Sequence, residues 1–310
     1  MRRLVGVMLA IGALAGCASG GDRGDRGPLA PRDLAAFVSC LRVTDQAVVS
    51  AHRGGYGPGF AENAIETFAA TVRRTPAMLE TDVRMSADGV LVLMHDETVD
   101  RTTTGTGSVA GMSAAALTAL QLEDANGSVV EARVPTLAAA LAWADGRTVL
   151  QLDVKRGVPF PAVVEAVREA RAQNRVIVIT YSIDDAILVH RLDPTLMLSV
   201  SMDEVGDVEA LAAAGVDLSR VIAFTGIRAP NPALYAALDA LGIEVIFGTL
   251  GGAGSFDEQF SAPGAEQGYV DLRDQGVQIF ASDRALAAFA ALDAADGPGW
   301  GPGLCLEAGQ

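Results

Sequence analysis

Glu80 and Asp82 stand two residues apart in Leu79-Glu80-Thr81-Asp82-Val83-Arg84, and His95 closes the apolar run that begins at Val90. In an extended chain, side chains two residues apart share a face, so the two carboxylates point the same way. Buried carboxylates without a partner are too costly to keep. A hard divalent cation would satisfy them with the histidine beside it, and so would pairing with Arg84 if the strand lay at an edge. Two further segments carry the same kinds of residue. Ala51-His52-Arg53-Gly54-Gly55 supplies a second histidine, and Leu150-Gln151-Leu152-Asp153-Val154-Lys155 puts a third acid and a lysine on one strand face. Lys155 is the only lysine in the chain, and the histidines are His52, His95 and His190. Two imidazoles, an all-oxygen cation site and two extra positive charges suit acid–base catalysis on an anionic substrate. His190, on a helical stretch before Arg191, reads as structural.

Positioning these residues requires strands that converge. Apolar runs over Ala47–Ala51, Ala77–Arg84, Thr148–Val154, Arg175–Thr180, Thr195–Ser201, Arg220–Phe224, Ile243–Phe247 and Val277–Ala281 predict strands. Helical patterns follow them in turn, among them Ala64–Arg74, Pro161–Gln173, Ile183–Leu192 and Arg284–Asp293, and Pro31–Leu41 precedes the first strand. Strand–helix units of roughly thirty residues, eight in series, predict a closed (β/α)8 TIM barrel rather than an open sheet. Ser86-Ala87-Asp88-Gly89 is a hairpin turn that carries the chain into the His95 strand. Residues 96–134, containing Thr102-Thr103-Thr104-Gly105-Thr106-Gly107, are too long for a simple connection and predict a small insertion. Gly248–Gly264 is a second long loop at the same end, and the Gly/Pro-rich tail from Gly297 to Gly303 is expected to be coil.

Composition bounds the partners. The 310 residues contain 23 Lys plus Arg against 38 Asp plus Glu, a net charge of −15, which opposes nucleic acid or an anionic membrane surface as an electrostatic partner. Residues 1–16 begin Met1-Arg2-Arg3, continue with a short apolar stretch and end before Cys17, the pattern of an export signal. Leu14-Ala15-Gly16-Cys17 resembles a bacterial lipobox, so Cys17 is expected to carry lipid after cleavage and to anchor the protein in the cell envelope. Residues 17–30 would be a flexible tether and 31–310 the catalytic domain.

His52-Arg53-Gly54, Glu62-Asn63, Glu80-x-Asp82, Asp88-Gly89, His95-Asp96, Arg101-Thr102-Thr103, Gly105-x-Gly107, Pro135-Thr136-Leu137, Asp153-x-Lys155 and Ser282-Asp283 resemble, in order, the motifs of the glycerophosphodiester phosphodiesterase family. The resemblance implies a phosphodiesterase-type barrel with an insertion after the second strand. It implies that Glu80, Asp82 and Asp153 hold a divalent metal, Ca2+ or Mg2+, that His52 and His95 are the general acid/base pair, and that Arg53 and Lys155 contact phosphate. Three positions depart from the family pattern: Asp153 replaces a more usual Glu, Ala61-Glu62-Asn63-Ala64 lacks a proline, and Gly248-Thr249-Leu250 lacks a Trp-Thr pair. The expected reaction is hydrolysis of glycerophosphodiesters to glycerol 3-phosphate and an alcohol. A phospholipase-type phosphodiesterase and a non-catalytic binding lipoprotein are the alternatives. No serine or cysteine has a nucleophile-elbow setting.

Two cysteines remain besides Cys17. In an oxidising compartment such pairs tend to be joined. Cys40 precedes the first strand and Cys305 follows the last helix, so both should lie at the N-terminal end of the barrel. A bridge between them is expected there.

Overall fold

The computed structural model describes residues 29–296 and 301–308, so the leader, Cys17 and most of the tether lie outside the described residues. The strands, in chain order, are β1 Val48–Ala51, β2 Met78–Met85, β3 Leu91–Leu93, β4 Gln121–Glu123, β5 Val129–Arg133, β6 Leu150–Val154, β7 Val176–Thr180, β8 Met197–Ser201, β9 Val221–Phe224, β10 Glu244–Gly248 and β11 Ile279–Ser282. Parallel pairing runs β1-β11-β10-β9-β8-β7-β6-β2, and β1 also pairs with β2 through Ser50↔Met78 and Ala51↔Leu79. That last pairing closes the sheet into the expected eight-stranded barrel.

Alternation along each strand decides which residues meet. On β2, Leu79 and Val83 face the helices and join the main apolar layer, and on β6 Leu150, Leu152 and Val154 do the same. The intervening residues point inward. At the N-terminal end these are apolar: Val48, Met78, Val149, Ile177, Met197, Ile222 and Ile279 fill the floor. Two residues further along, the interior turns polar on β1, β2, β6 and β8, at Ser50, Glu80, Gln151 and Ser199, and stays apolar on β7, β9 and β11. Val149 gives way to Gln151 and then Asp153, and Met78 to Glu80 and then Asp82. The β2–β6 register sets Glu80 beside Gln151 and Asp82 beside Asp153.

The helix Leu34–Val43 closes the floor from below through Leu34, Phe37, Val38 and Leu41. Asp33 caps it by accepting from the Ala36 N–H. At the other end, β3 pairs antiparallel with β2 and leads into the insertion. The insertion holds a short helix, Ala114–Ala119, and the two-stranded β4–β5 sheet. It packs on its own apolar group, which includes Val92, Met94, Val99, Leu117 and Leu122.

Of the Gly297–Gly303 tail expected to be coil, residues 297–300 lie outside the described residues, and Gly301–Cys305 forms a 3-10 turn because the chain is held there. The long loop after β10 likewise contains a short helix, Phe256–Gln259. Cys305 is bridged to Cys40, with the Cα atoms 5.5 Å apart, and is fully buried against the floor. The closed loop spans 265 residues, for which the chain-entropy model gives about 5.6 kcal/mol, and measured bridges typically stabilise by about 2–4 kcal/mol. Reduction, or Cys305→Ser, should therefore lower the denaturation midpoint while leaving the turnover of the folded protein unchanged, since the bridge lies at the end of the barrel opposite Glu80, Asp82 and Asp153. An unmoved midpoint would show that the tail adds nothing to stability.

Candidate active site

Glu80, Asp82 and Asp153 reach the barrel mouth from adjacent strands, and each offers an oxygen within 4.8 Å of the other two. All three are buried. At such a separation and an effective dielectric of ~20, two carboxylates repel by about 3–4 kcal/mol. The surroundings offset this in specific ways. Lys155 Nζ lies 2.6 Å from Asp82 Oδ1 and 2.6 Å from Asp153 Oδ2. Asn63 clamps Asp82: its Nδ2 donates to Oδ2 at 2.6 Å, while its Oδ1 accepts from the Asp82 N–H and the Thr81 hydroxyl. The Arg53 backbone N–H donates to Glu80 Oε2 at 2.7 Å. Arg84 takes no part; its Nε donates to the His95 carbonyl at 3.0 Å and anchors that segment.

The compensation is incomplete. Burial, and then the charge of Asp82, push the Glu80 carboxyl well above the usual carboxylate range. Burial works against the Asp82 charge too, but Lys155 and Asn63 outweigh it and hold Asp82 low. Asp153 Oδ1 is buried and makes no hydrogen bond. Three converging carboxylates, one of them with an orphaned buried oxygen, fit a hard divalent cation.

His52 arrives through a sharp turn. β1 ends at Ala51, and Arg53 (φ 49°), Gly54 (φ 84°) and Gly55 (φ 87°) all take left-handed conformations. A Cβ on Gly54 would sit 2.2 Å from Phe68 Cδ1, so only glycine fits. His52 Nδ1 lies 2.6 Å from Asp283 Oδ1, and His52 Nε2 lies 4.0 Å from Glu80 Oε2. An ionised carboxylate only accepts, so Nδ1 carries the proton and Nε2 is the free atom, turned toward the acids. Burial lowers the basicity of His52, but Asp283 and Glu80 more than offset it and leave the imidazole above its ordinary value.

His95 is held in the same manner. Its Nδ1 lies 2.6 Å from Asp96 Oδ1. Arg101 grips Asp96 through Nε at 2.6 Å and Nη2 at 3.0 Å, and with the bond from His95 this holds the carboxyl far below the usual range. Arg101 also binds both oxygens of Glu62, at 2.9 and 2.8 Å, and Glu62 binds Arg53 Nη1 at 2.9 Å. Alternating charges thus run His95–Asp96–Arg101–Glu62–Arg53. The Arg53 guanidinium ends 3.7 Å from Asp82 Oδ2, which joins this chain to the acid cluster.

A cavity of about 310 Å³ opens above the floor. His52, Glu80, Gln151 and Asp153 line one side, and Ile179, Phe224, Ile246 and Leu250 line the other. His95 does not line it. Every site residue expected from the sequence therefore lies in one connected cluster. The orienting roles of Asp96 and Asp283, and the bridging roles of Glu62, Asn63 and Arg101, were not assigned from the sequence. The adjacency of His95 and Asp96 was a usable signal for one of them; nothing local links His52 to Asp283.

Residues 52–221 match the model of the glycerophosphoryl diester phosphodiesterase family. A glycerophosphodiester phosphodiesterase of Bacillus subtilis is 28% identical over 183 residues, 52% of this chain and 61% of its own length. One of Caldanaerobacter subterraneus is 28% identical over 162 residues, 50% of this chain and 66% of its own. The matched part therefore spans about three fifths to two thirds of these relatives. A glycerophosphoryl diester phosphodiesterase crystal structure from Parabacteroides distasonis superposes with a TM-score of 0.78 at 29% identity, covering 87% of this chain and 94% of that one. A phosphodiesterase of Oleispira antarctica, solved with sn-glycerol-3-phosphate, shares the fold at a TM-score of 0.62 and 20% identity, covering 81% of this chain and 99% of its own. With the barrel, the carboxylate cluster and a family match that begins at His52 itself, the chain belongs to the glycerophosphoryl diester phosphodiesterase family.

Proposed function

We propose that this protein hydrolyses glycerophosphodiesters to glycerol 3-phosphate and an alcohol, with His52 and His95 as the acid/base pair. One observation carries the reading: both imidazoles have Nδ1 committed to an aspartate, and they belong to one network around a three-carboxylate cluster. Each is thereby left with a single free nitrogen, the arrangement needed to move protons at fixed atoms. Glu80, Asp82 and Asp153 would hold Mg2+ or Ca2+. Such an ion, when bound, offsets the charge on the non-bridging oxygens of a phosphodiester.

The chain's own groups do the rest. One imidazole Nε2 accepts the proton of the attacking oxygen as the new P–O bond forms; if that oxygen is a neighbouring substrate hydroxyl rather than water, the product is a cyclic phosphodiester, which water opens to glycerol 3-phosphate in a second step. As the old P–O bond breaks, the other imidazole gives its Nε2 proton to the departing alkoxide. Arg53 and Lys155 add positive charge beside the acids, Arg53 with directional donors and Lys155 as a compact ammonium. Asp96 and Asp283 hold their imidazoles in one tautomer and stabilise each when it is protonated. The leader and Cys17 support export and lipid anchoring, and a Cys40–Cys305 bridge suits a compartment outside the reducing cytoplasm.

Three measurements test this. His52→Ala and His95→Ala should each remain folded and lose about 10²–10⁴ in kcat for release of glycerol 3-phosphate from glycerophosphocholine. A wild-type rate in either removes that histidine from the chemistry. Mg2+ or Ca2+ at about 100-fold above its Kd should raise the Tm of chelator-treated protein by about 4–5 °C, because the ion binds the folded carboxylate cluster and not the unfolded chain. Asp153→Asn should abolish most of that rise, and a melting curve indifferent to both ions would refute the metal site. Wild-type protein in bacterial cells should incorporate labelled palmitate and Cys17→Ala should not; unlabelled wild-type protein would end the anchoring reading.

A further inference from the structure

Asp257 is a carboxylate with no place in the reaction above, yet it is only 2% exposed. It sits in the four-residue helix Phe256–Gln259, within the long loop that follows β10. Its side chain accepts from every neighbouring donor: the Tyr269 hydroxyl at 2.7 Å, the Ser282 hydroxyl at 2.9 and 3.1 Å, and the Asp283 N–H at 2.7 Å. Its own N–H donates to the Thr249 carbonyl at 2.9 Å, and its carbonyl accepts from Arg284 Nη1 at 3.2 Å. Four of these partners matter for one reason. Ser282 ends β11, Asp283 and Arg284 follow it, and Thr249 begins the loop whose Gly251 N–H donates to Asp283 Oδ2 at 3.0 Å.

The loop therefore grips Asp283 twice. Asp257 fixes its backbone, and Gly251 fixes one carboxylate oxygen. The remaining oxygen, Oδ1, is the one that meets His52 Nδ1. A buried carboxylate is costly unless its acceptor capacity is filled, and here the filling is directed at the residue that orients a histidine. This loop begins at Gly248-Thr249-Leu250, where the chain departs from its family's Trp-Thr pattern. We infer that Asp257 is a positioning residue for the reaction: it locks the β11 end and the following turn so that Asp283 holds His52 with Nε2 toward the acid cluster. The inference rests on the proposed role of His52.

The test is a double-mutant cycle between Asp257 and Asp283. Asp257→Ala, assayed with glycerophosphocholine and saturating metal, should lower kcat about tenfold or more, with KM changed by less than about twofold, as for a group that acts on the reacting atoms through another. Asp257→Asn should recover part of the loss, because its amide oxygen can still accept from the Asp283 N–H while the two hydroxyls turn to accept from its NH2. Combined with Asp283→Ala, neither substitution should cost anything further. If Asp257→Ala fails to fold, Tyr269→Phe keeps the ring packed on Phe260 and Phe280 while deleting one bond to Asp257. It should give a smaller loss that likewise vanishes with Asp283→Ala. Losses that multiply in the double variants, or full activity in folded Asp257 and Tyr269 variants while His52→Ala is slow, overturn the inference alone. Full activity in His52→Ala overturns it together with the proposed function.

Discussion

Three carboxylates forced within 4.8 Å of one another at a barrel mouth are the constraint on which the site is built. Left to themselves they would repel, protonate or draw in water. What surrounds them is a set of partial answers: Lys155 between two of them, the Asn63 clamp on Asp82, the Arg53 N–H on Glu80, and His52 nearby. Those answers stop short of neutrality. One oxygen of Asp153 makes no hydrogen bond, and Glu80 is held above the range in which a carboxyl ionises readily. A fold that tolerates such a cluster has stability to spare elsewhere, and the apolar floor of the barrel with the helix that seals it supplies it.

The second organising feature is that the histidines are set by different means. His95 is tied into a line of alternating charges through Asp96, Arg101 and Glu62, so its position depends on ion pairs at a partly exposed rim. His52 is buried more deeply and is set by Asp283 at the end of the neighbouring strand β11, which is held by the Gly251 N–H and the Asp257 carboxylate of the loop after β10. The two arrangements meet at Arg53, which follows His52 in sequence and binds Glu62. A change at Arg53 would therefore disturb both arms, whereas one at Asp96 or Asp283 would act on its own histidine.

The convergence of residues 52, 80, 82, 95, 153 and 155 was legible in the sequence because its pattern is local. A strand has a period of two, so Glu80-x-Asp82 and Asp153-x-Lys155 each define a shared face wherever the strand goes. Eight repeated strand–helix units then leave one plausible way to bring those faces together, since parallel strands joined by helices all end on the same side. The Cys40–Cys305 bridge followed from the same reasoning about ends of the barrel. At Gly301–Gly303 the Gly/Pro composition predicts coil because it describes a free segment, whereas the covalent tie of Cys305 to the floor imposes a turn.

Asp283, Asp257, Glu62 and Arg101 could not be assigned roles in that way. Each is an ordinary acidic or basic residue until another segment comes within 3 Å of it, and the segments concerned lie far apart: 231 residues separate His52 from Asp283, and 39 separate Glu62 from Arg101. Hydrogen bonds are short-ranged and directional, so which partner a side chain takes is settled only when barrel closure and loop packing have fixed distances to a fraction of an ångström. The sequence by itself determined the fold, the acid cluster and the two histidines, because strand periodicity and repeat order encode them. Tertiary structure alone decided which nitrogen of each histidine is free and what holds it there.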